Sequence, residues 1–396
     1  MINYILFDDS RTDLLPLTFT RPVAELRIGI LTIREKWEKY LQANLSFLTE
    51  DYLKLKYPLI TRGDNIFING SILPDSNLCK SINVLTNNQF LVKANIIIAA
   101  RCNSNSAGEF VNNISRASNI IQYTEEIFKI NFLWDIFRFN GKAIENDFEL
   151  ITSGRKSTRL NKSNNAILSE KIFIEDGAKI NFASLNASPG PIYIGKNTEI
   201  MEGSLIRGPF VLCENSTVKM GSKIYGPTTI GPNSKVGGEI NNSIVYGNSN
   251  KAHEGFLGNS VIGEWCNIGA DTNNSNLKNN YTEVKLWNYS LDKFIPTGLQ
   301  FCGLIMGDHS KCGINTMFNT GTVVGVSTNI FGAGYPRNFI PSFSWGGPQG
   351  MSVYPLDKAI ETAENVLQRR NVELSAIDKK ILEQIFVLTE KYRRFV

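Results

Sequence analysis

Histidine is scarce in this chain of 396 residues, which contains only His253 and His309. Six cysteines are present without any C-x-x-C spacing, so we expect reduced thiols in a cytoplasmic protein. No apolar run approaches 18 residues, and Asp8 and Asp9 stand close to the start, so neither a membrane span nor a secretory signal is predicted. The net charge of +4 is small and no basic block is present, which argues against nucleic acid as a partner.

What is abundant is an aliphatic side chain at every sixth position. The run is Ile194, Ile200, Ile206, Leu212, Val218, Ile224, Ile230 and Val236. A helix would repeat its apolar face every three to four residues and a strand every two, whereas a period of six is typical of short parallel strands wound into a solenoid. We expect the same inward positions at Ile174, Ile180, Ile244, Phe256, Ile262, Ile268, Met306, Cys312, Phe318, Val324 and Ile330. The pattern predicts a parallel β-helix of the hexapeptide type.

The N-terminal third alternates strand and helix patterns. Residues 2–7, 65–68 and 95–100 are predicted strands, and residues 25–41 and 125–139 are predicted helices. This alternation predicts a small α/β domain.

The loop after the first strand carries Asp8, Asp9 and Arg11, and Arg21 follows shortly after. Ligands of open α/β sheets commonly bind at such a loop, and guanidinium groups suit phosphate oxygens. The alternative interpretation is a surface loop with local Asp–Arg pairs.

The same region resembles the sugar nucleotidyltransferases. The resemblance rests on Arg11, on residues 16–18 (Pro-Leu-Thr) and on residues 21–22 (Arg-Pro). It implies nucleotide binding by Asp8, Asp9, Arg11 and Arg21, with Mg²⁺ if the domain is active. Residues 8–10 (Asp-Asp-Ser) stand where the family has Gly-x-Gly, and residues 69–71 (Asn-Gly-Ser) stand near its metal-binding Gly-Asp.

These patterns divide the chain at a polar, aperiodic segment. We predict a nucleotidyltransferase-like domain over residues 1–152, a linker over 153–166, and the β-helix over 167–334 with an inserted loop at 273–303. Residues 335–396 are predicted to form a loop and a helical C-terminal cap.

His253 is the candidate general base of the predicted solenoid. An imidazole with a pKa near 6.5 suits proton removal from an amine or hydroxyl that attacks a thioester. Glu239, slightly less than one coil earlier, could orient it. From the residues alone, a structural histidine is an equal alternative, and His309 is interpreted as a turn residue.

Residues 247–276 resemble the acetyltransferase half of the bifunctional N-acetylglucosamine-1-phosphate uridyltransferase/glucosamine-1-phosphate acetyltransferases. The shared features are a Ser-Lys-Ala-(Gly)-His motif and an Asn-Ile-Gly-Ala-Gly-Thr motif, here Asn-Ile-Gly-Ala-Asp-Thr. The resemblance implies that His253 is the base, that Glu239 orients it and that Asn276 contacts the sugar. The remaining predicted substrate-binding residues are Asn267, Tyr281 and Lys285. The family's phosphate-binding and sugar-binding lysine, arginine and tyrosine are replaced by Asn241, Tyr225 and Phe256.

The predicted fold is therefore an α/β nucleotidyltransferase-like domain, a left-handed parallel β-helix and C-terminal helices, assembled as a homotrimer as the family implies. The predicted function is acyl-CoA-dependent N-acyl transfer to an amino sugar phosphate or sugar nucleotide, with acetyl-CoA as co-substrate, in cell-envelope precursor synthesis. Two alternatives are sugar-1-phosphate nucleotidyl transfer with Mg²⁺ and sugar-nucleotide binding without turnover.

Overall fold

The structure is a computed structural model that describes residues 2–102 and 119–395. Contacts divide the chain into two compact units. The N-terminal unit comprises Met1–Leu14, Thr20–Leu26 and Leu31–Phe132. The C-terminal unit comprises Leu15–Phe19, Arg27–Ile30 and Leu133–Val396. This grouping differs from the predicted division at residue 152, because it places the helix Leu133–Thr152 with the solenoid.

The N-terminal unit is built on one mixed sheet of six strands. Their order across the sheet is Leu45–Leu48, Asn3–Phe7, Asn65–Asn69, Ile96–Cys102, Gln89–Lys93 and Ile120–Gln122. The first three run parallel, and Ile96–Cys102 is antiparallel to both of its neighbours. The helices of this unit are Ile33–Leu41 and Ser76–Asn83, with 3₁₀ turns at Arg11–Leu14, Val23–Glu25 and Asp51–Leu53. The predicted α/β class is confirmed.

Both predicted N-terminal helices begin later than the sequence suggested. The first begins at Ile33, where the Thr32 side chain accepts a hydrogen bond from the Glu35 amide and the Glu35 carboxylate accepts one from the Thr32 amide. In the second region, Phe128–Lys129 pairs antiparallel with Ile72–Leu73 as a short strand. Tertiary strand pairing therefore overrides the helical spacing there, and the helix runs over Leu133–Thr152 instead.

The C-terminal unit is a solenoid of short parallel strands with three faces. The first face contains Ile172–Ile174, Ile192–Ile194, Phe210–Leu212, Thr228–Ile230, Ile244–Val245, Val261–Ile262, Leu304–Met306, Thr322–Val324 and Phe339–Ile340. The second contains Lys179–Ile180, Glu199–Ile200, Thr217–Val218, Lys235–Val236, Asn250–Lys251, Asn267–Ile268, Lys311–Cys312, Asn329–Ile330, Ser344–Gly347 and the antiparallel Gly350–Val353. The third contains Asn165–Ile167, Ser184–Asn186, Leu205–Arg207, Lys223–Tyr225, Glu239–Asn241 and Phe256–Gly258. The pair Asn273–Asn274 and Met317–Phe318 follows in chain order.

The inward residues confirm the period of six, with two corrections. Ile230 pairs with Val245, and Ile240 pairs with Leu257, so Val245 and Leu257 enter the core in place of the predicted Ile244 and Phe256. The cause is coil length: the step from one inward position to the next on the first face falls from 18 residues to 15 at Val245. The predicted phase is recovered at Ile262, which pairs with Val245 and points inward.

The first face of the solenoid is covered by the helix Leu133–Thr152. Asn140 Oδ1 accepts hydrogen bonds from the Gly29 amide at 2.8 Å and from Thr229 Oγ1 at 3.2 Å. Asp147 Oδ2 accepts one from the Ile30 amide at 2.8 Å. Buried polar groups need such partners, so these bonds fix the helix to the segment Arg27–Ile30 and, through Thr229, to that face.

The predicted linker packs against the first coil. The Thr158 amide donates to the Ile174 carbonyl at 2.8 Å, and the Ile174 amide donates to Ser157 Oγ at 2.9 Å. The solenoid itself begins at the strand Asn165–Ile167. At the other end, the helices Leu356–Gln368 and Ala376–Leu388 form the predicted C-terminal helices, followed by a 3₁₀ turn at Glu390–Tyr392.

The inserted loop contains an antiparallel hairpin, Lys285–Asn288 with Lys293–Pro296. Trp287 of the hairpin stacks on Phe339 with ring centroids 4.2 Å apart and lies edge-on to Tyr392. Among residues 2–102 and 119–395, no helix is both long enough and apolar enough to cross a membrane.

Candidate functional site

The loop after the first strand lies at the carboxyl edge of the N-terminal sheet. The parallel strands Asn3–Phe7 and Asn65–Asn69 end side by side, which brings Asp8 and Asp9 to that edge. Open α/β sheets commonly bind ligands at this position. The predicted nucleotide-binding loop therefore occupies the place in the sheet that the pattern indicated.

The two arginines of this loop are buried, with Arg11 only 9% and Arg21 only 6% exposed. Arg11 Nη1 donates to Asp8 Oδ2 at 3.1 Å and to the Arg21 carbonyl at 2.8 Å. Arg11 Nη2 donates to Tyr52 Oη at 2.9 Å. The guanidinium of Arg11 thus holds the loop together through one local Asp–Arg pair, one backbone carbonyl and Tyr52.

The Asp8 carboxylate also forms its hydrogen bonds within the N-terminal unit. Its carboxylate accepts hydrogen bonds from the Val23 amide at 2.7 Å and from Thr49 Oγ1 at 2.5 Å, in addition to the one from Arg11. Burial raises the pKa of Asp8, and this effect exceeds the opposite effect of Arg11. The carboxylate therefore joins Arg11, Val23 and Thr49, which belong to three different segments of the unit.

Asp9 is the more exposed carboxylate and faces a lysine that sequence reasoning missed. Lys129 Nζ lies 3.3 Å from Asp9 Oδ2 and donates to Ser10 Oγ at 2.8 Å and to Asn131 Oδ1 at 2.7 Å. Asn69 Nδ2 donates to Asp9 Oδ2 at 2.7 Å. Ser10 and Lys129 are 119 residues apart in sequence, so no local motif signals their contact.

These residues do not fit the Mg²⁺ ion of a nucleotidyltransferase. Magnesium prefers several oxygen ligands in octahedral geometry. Asp8 is committed to internal donors, and Asp9 faces an ammonium group and an amide N–H. Within residues 2–102 and 119–395, no group of three or more His, Cys, Asp or Glu side chains could hold a metal.

On the solenoid, His253 lies at an exposed corner before the third-face strand Phe256–Gly258. The preceding coil is closely stacked beneath it: a Cβ on Gly238, whose φ is +74°, would lie 2.8 Å from the His253 carbonyl oxygen. Only glycine accepts both that conformation and that approach. His253 therefore sits directly above the residue that precedes Glu239, so the two predicted catalytic residues are on neighbouring coils.

Glu239 forms its hydrogen bond with another side chain. Tyr225 Oη donates to Glu239 Oε1 at 2.6 Å, and this bond raises the pKa of Tyr225. Among the described residues, no hydrogen bond or ion pair joins Glu239 to His253. The predicted orientation of the imidazole by Glu239 is not made in this structure, and it stays a prediction.

Lys251, two residues before His253, occupies an inward position of the solenoid. It pairs with Val236 in the second face and is 2% exposed. Its Nζ donates to three carbonyl oxygens, those of Gly237 at 3.1 Å, His253 at 2.7 Å and Glu254 at 3.2 Å. Three N–H donors meet three acceptors, so the ammonium ties the His253 corner to the coil beneath it.

Burial lowers the pKa of Lys251 to about 8, although Glu254 and Asp271 act in the opposite direction. Between that value and the ordinary pKa near 10.5, the unfolded chain binds a proton that the folded chain has released. The stability contributed by this group therefore rises with pH across that interval.

We expect Lys251→Met to reveal this dependence. From pH 7 to pH 10, the free energy of unfolding of the wild type should increase by about 2 kcal/mol relative to that of Lys251→Met. Denaturant titrations at several pH values measure the difference. Lys293→Met, which replaces an exposed lysine, should track the wild type at every pH. A constant difference between wild type and Lys251→Met would contradict the expectation.

Outward side chains of the third face form a polar surface near this corner. Asn276 Nδ2 donates to Asn259 Oδ1 at 2.8 Å. A Cβ on Gly258 would lie 2.5 Å from the Phe256 ring and 2.7 Å from Asn276 Nδ2. The absence of a side chain at Gly258 therefore leaves room for Phe256 and Asn276 to lie together on this face.

The structure separates the remaining predicted substrate-binding residues. Asn267 is exposed on the second face, where it pairs with Asn250. Tyr281 is 66% exposed in a turn of the inserted loop, and Lys285 is exposed at the start of the hairpin. Among the described residues, no hydrogen bond or ion pair joins these three to His253. Their predicted roles stay predictions.

Comparison with known proteins supports the two-part organisation. Residues 4–156 match the family model described as sugar nucleotidyl transferase. The bifunctional sugar-1-phosphate nucleotidylyltransferase/acetyltransferase of Sulfurisphaera tokodaii is 32% identical over 160 residues, which are 40% of this chain and 37% of that protein. The bifunctional protein GlmU of Methanocaldococcus jannaschii is 34% identical over 87 residues, which are 22% of this chain and 21% of that protein. The chain thus spans about a fifth to two fifths of the relatives it matches.

Two solved structures of acyltransferases show weak likeness. The polySia-specific acetyltransferase NeuO has 17% identity and a TM-score of 0.25, with 46% of this chain and 86% of that chain covered. LpxA of Bacteroides fragilis has 16% identity and a TM-score of 0.24, with 59% and 84% covered. TM-scores this low carry no argument about function.

The fold therefore belongs to the class that combines an α/β unit with a parallel β-solenoid of the hexapeptide type. The predicted resemblance to the sugar nucleotidyltransferases is confirmed for residues 4–156. The similarity to bifunctional nucleotidyltransferase/acetyltransferases supports the prediction that the chain is a transferase.

Proposed function

We propose that this protein is an acyl-CoA-dependent N-acyltransferase whose acceptor is an amino sugar phosphate or a sugar nucleotide. The observation that carries the proposal is the His253 corner. The exposed residue His253 has its backbone carbonyl stacked over Gly238, that carbonyl accepts a hydrogen bond from the buried Lys251, and the third face begins three residues later. The similarity to bifunctional nucleotidyltransferase/acetyltransferases agrees with this chemistry.

In the proposed reaction, the acceptor amine attacks the thioester carbonyl of acetyl-CoA. His253 removes the proton that the amine loses as the C–N bond forms. The C–S bond then breaks, and the imidazolium gives that proton to the departing sulfur, so CoA leaves as the thiol. Asn276, which lies with Phe256 over Gly258, hydrogen-bonds a sugar hydroxyl in this proposal. Glu239 supplies a negative charge near the imidazolium, and its bond to Tyr225 keeps the carboxylate in place.

A homotrimer is part of the proposal, because the predicted site residues are divided between faces. Asn267 lies on the second face and Asn276 follows the third-face strands. Since the two faces of one prism point in different directions, Asn267 can approach the third-face residues only from another copy. The six free, buried cysteines agree with the proposed cytoplasmic location, since no described pair forms a disulfide.

The second candidate is sugar-1-phosphate nucleotidyl transfer by the N-terminal unit, with nucleotide bound by Asp8, Asp9, Arg11 and Arg21. The match of residues 4–156 to the nucleotidyltransferase family favours it. Two observations argue against nucleotidyl transfer. Arg11 and Asp8 are hydrogen-bonded to the protein's own backbone, and the loop does not fit Mg²⁺. A unit that binds a sugar nucleotide without reaction is compatible with these contacts.

One assay separates these candidates. Acetyl-CoA is offered with amino sugars, their 1-phosphates and their nucleotide conjugates, and thiol release is followed with a chromogenic disulfide. In parallel, nucleoside triphosphates and sugar 1-phosphates are offered with Mg²⁺, and pyrophosphate release is followed. We expect acceptor-dependent thiol release. Pyrophosphate release without thiol release would move the function to the N-terminal unit, and neither product would support binding without turnover.

A further inference from the structure

A cleft of about 440 Å³ lies between the second face of the solenoid and the end of the helix Leu356–Gln368. Its volume falls in the range of small-molecule sites, roughly 300–1,000 Å³. The residues that line it are Lys235, Asn248, Asn250, Trp265, Cys266, Asn267, Lys311, Val366, Arg369 and Arg370. The charged members of this lining are all basic.

Two of the four cationic side chains, Lys311 and Arg370, are held by hydrogen bonds to neighbouring residues. Burial lowers the pKa of Lys311, whose Nζ donates to the His309 carbonyl at 2.8 Å. Burial and the neighbouring charge of Arg369 lower the pKa of Arg370. Arg370 donates to the Asn233 carbonyl and, through Nη2, to Asn250 Oδ1 at 3.2 Å. These hydrogen bonds position the guanidinium while leaving its charge without a carboxylate among the lining residues.

The other two cationic side chains lie at the surface. Lys235 and Arg369 are exposed. On the second face, Lys235, Asn250, Asn267 and Lys311 pair in succession along the ladder, which places two amides between two ammonium groups. Neighbouring strands lie roughly 4.8 Å apart, so the three steps from Lys235 to Lys311 span roughly 14 Å, enough for a diphosphate together with part of its nucleoside.

The remaining large side chain of the lining is aromatic. Trp265 stacks nearly parallel on His309, with an interplanar angle of 10° and ring centroids 6.5 Å apart. Rings held flat in this way offer a surface on which a planar base can stack. The cleft therefore combines concentrated positive charge, neutral amide groups and an indole.

We propose that this cleft binds the nucleoside diphosphate group of a nucleotide, either free or as part of a larger molecule. The phosphates would neutralise Lys235, Lys311, Arg369 and Arg370 through charge-assisted hydrogen bonds. The base would lie against Trp265. The inference does not depend on acyl transfer, because it uses neither His253 nor Glu239. It does not depend on nucleotidyl transfer, because every contact that it uses is within the solenoid unit and its C-terminal helix.

The test measures binding of pyrophosphate and ADP to the full chain by calorimetry at fixed ionic strength. The test variant combines Lys235→Gln with Arg369→Gln, two exposed positions where a change of charge should leave folding intact. The control combines Lys142→Gln with Arg62→Gln, which removes the same charges from exposed sites outside the cleft. We expect the Kd for both probes to rise at least tenfold in the test variant and to stay within twofold of wild type in the control.

A further variant, Trp265→Leu, separates the base from the phosphates. It should weaken ADP binding severalfold and leave pyrophosphate binding unchanged, and added ADP should quench tryptophan fluorescence less than in the wild type. Equal affinity in the test and control variants, or no binding of either probe at millimolar concentration, would overturn the proposal. Comparison of UDP, ADP and coenzyme A then identifies which nucleotide source the cleft prefers.

Discussion

Replacing His253 by glutamine should lower acceptor-dependent thiol release about 100- to 10,000-fold, the usual contribution of a positioned general base. Glutamine keeps a polar side chain of similar reach at the corner but cannot accept the proton of the attacking amine at neutral pH. The corner itself should survive, because it depends on Gly238 and on the hydrogen bond from Lys251 to the carbonyl of residue 253. The loss should therefore appear in kcat rather than in folding.

The matched control is His309→Gln, which removes the second of the two histidines of the chain. His309 lies in a turn with φ of 61° and stacks on Trp265, and its ring is not among the proposed catalytic groups. We expect its kcat, measured at saturating acetyl-CoA, to stay within a fewfold of wild type, because a disturbed stack on Trp265 would change only the concentration needed for saturation. Equal rates for His253→Gln and wild type, with both proteins folded, would exclude His253 as the base.

Asp8→Ala should destabilise the N-terminal unit by about 3–5 kcal/mol, the cost of removing one partner of a buried ion pair. The Asp8 carboxylate accepts hydrogen bonds from Arg11, Thr49 and the Val23 amide. Its removal leaves the buried guanidinium of Arg11 without its nearest carboxylate and the Val23 amide without its acceptor. Denaturant unfolding, followed by a probe in the N-terminal unit, measures the change.

Asp9→Ala is the control for this prediction. The Asp9 side chain is 38% exposed, and Lys129 keeps Ser10 and Asn131 as partners when Asp9 is removed. The expected loss is about 1 kcal/mol or less. Similar small losses for both variants would show that Asp8 is dispensable to the fold, and the interpretation of Arg11 as a phosphate-binding group would regain weight.

The solenoid was predictable because its signal is repeated. Each coil must bury an aliphatic residue on the coil below, so Ile194 to Val236 report the same geometry many times over. The prediction was wrong at Ile244 and Phe256, where Val245 and Leu257 point inward instead. Coil length varies in this region, with steps of 16 residues from Ile224 to Ile240 and 15 from Ile230 to Val245 in place of 18, and the sequence carries no independent marker of coil length.

The candidate site was less predictable than the fold. Motif resemblance placed His253 and Glu239 on neighbouring coils, but it could not show that Glu239 bonds to Tyr225. Lys251 was identified only as the lysine of the Ser-Lys-Ala-(Gly)-His motif, although it is inward and nearly fully buried. The basic cleft joins Lys235 to Arg369 and Arg370, more than 130 positions later in the chain, so no local pattern announces it.

By itself, the sequence determined that a parallel solenoid follows an α/β unit, because regular burial every six residues admits few other structures. It also determined which residue types are available for chemistry, since only two histidines exist. Only the tertiary structure decided that Arg11 and Asp8 serve the fold, that Asn267 and Asn276 occupy different faces, and that four cations share one cleft. The physical reason is that hydrogen bonding, burial and charge depend on neighbours in space, which strand pairing and coil length select from distant parts of the chain.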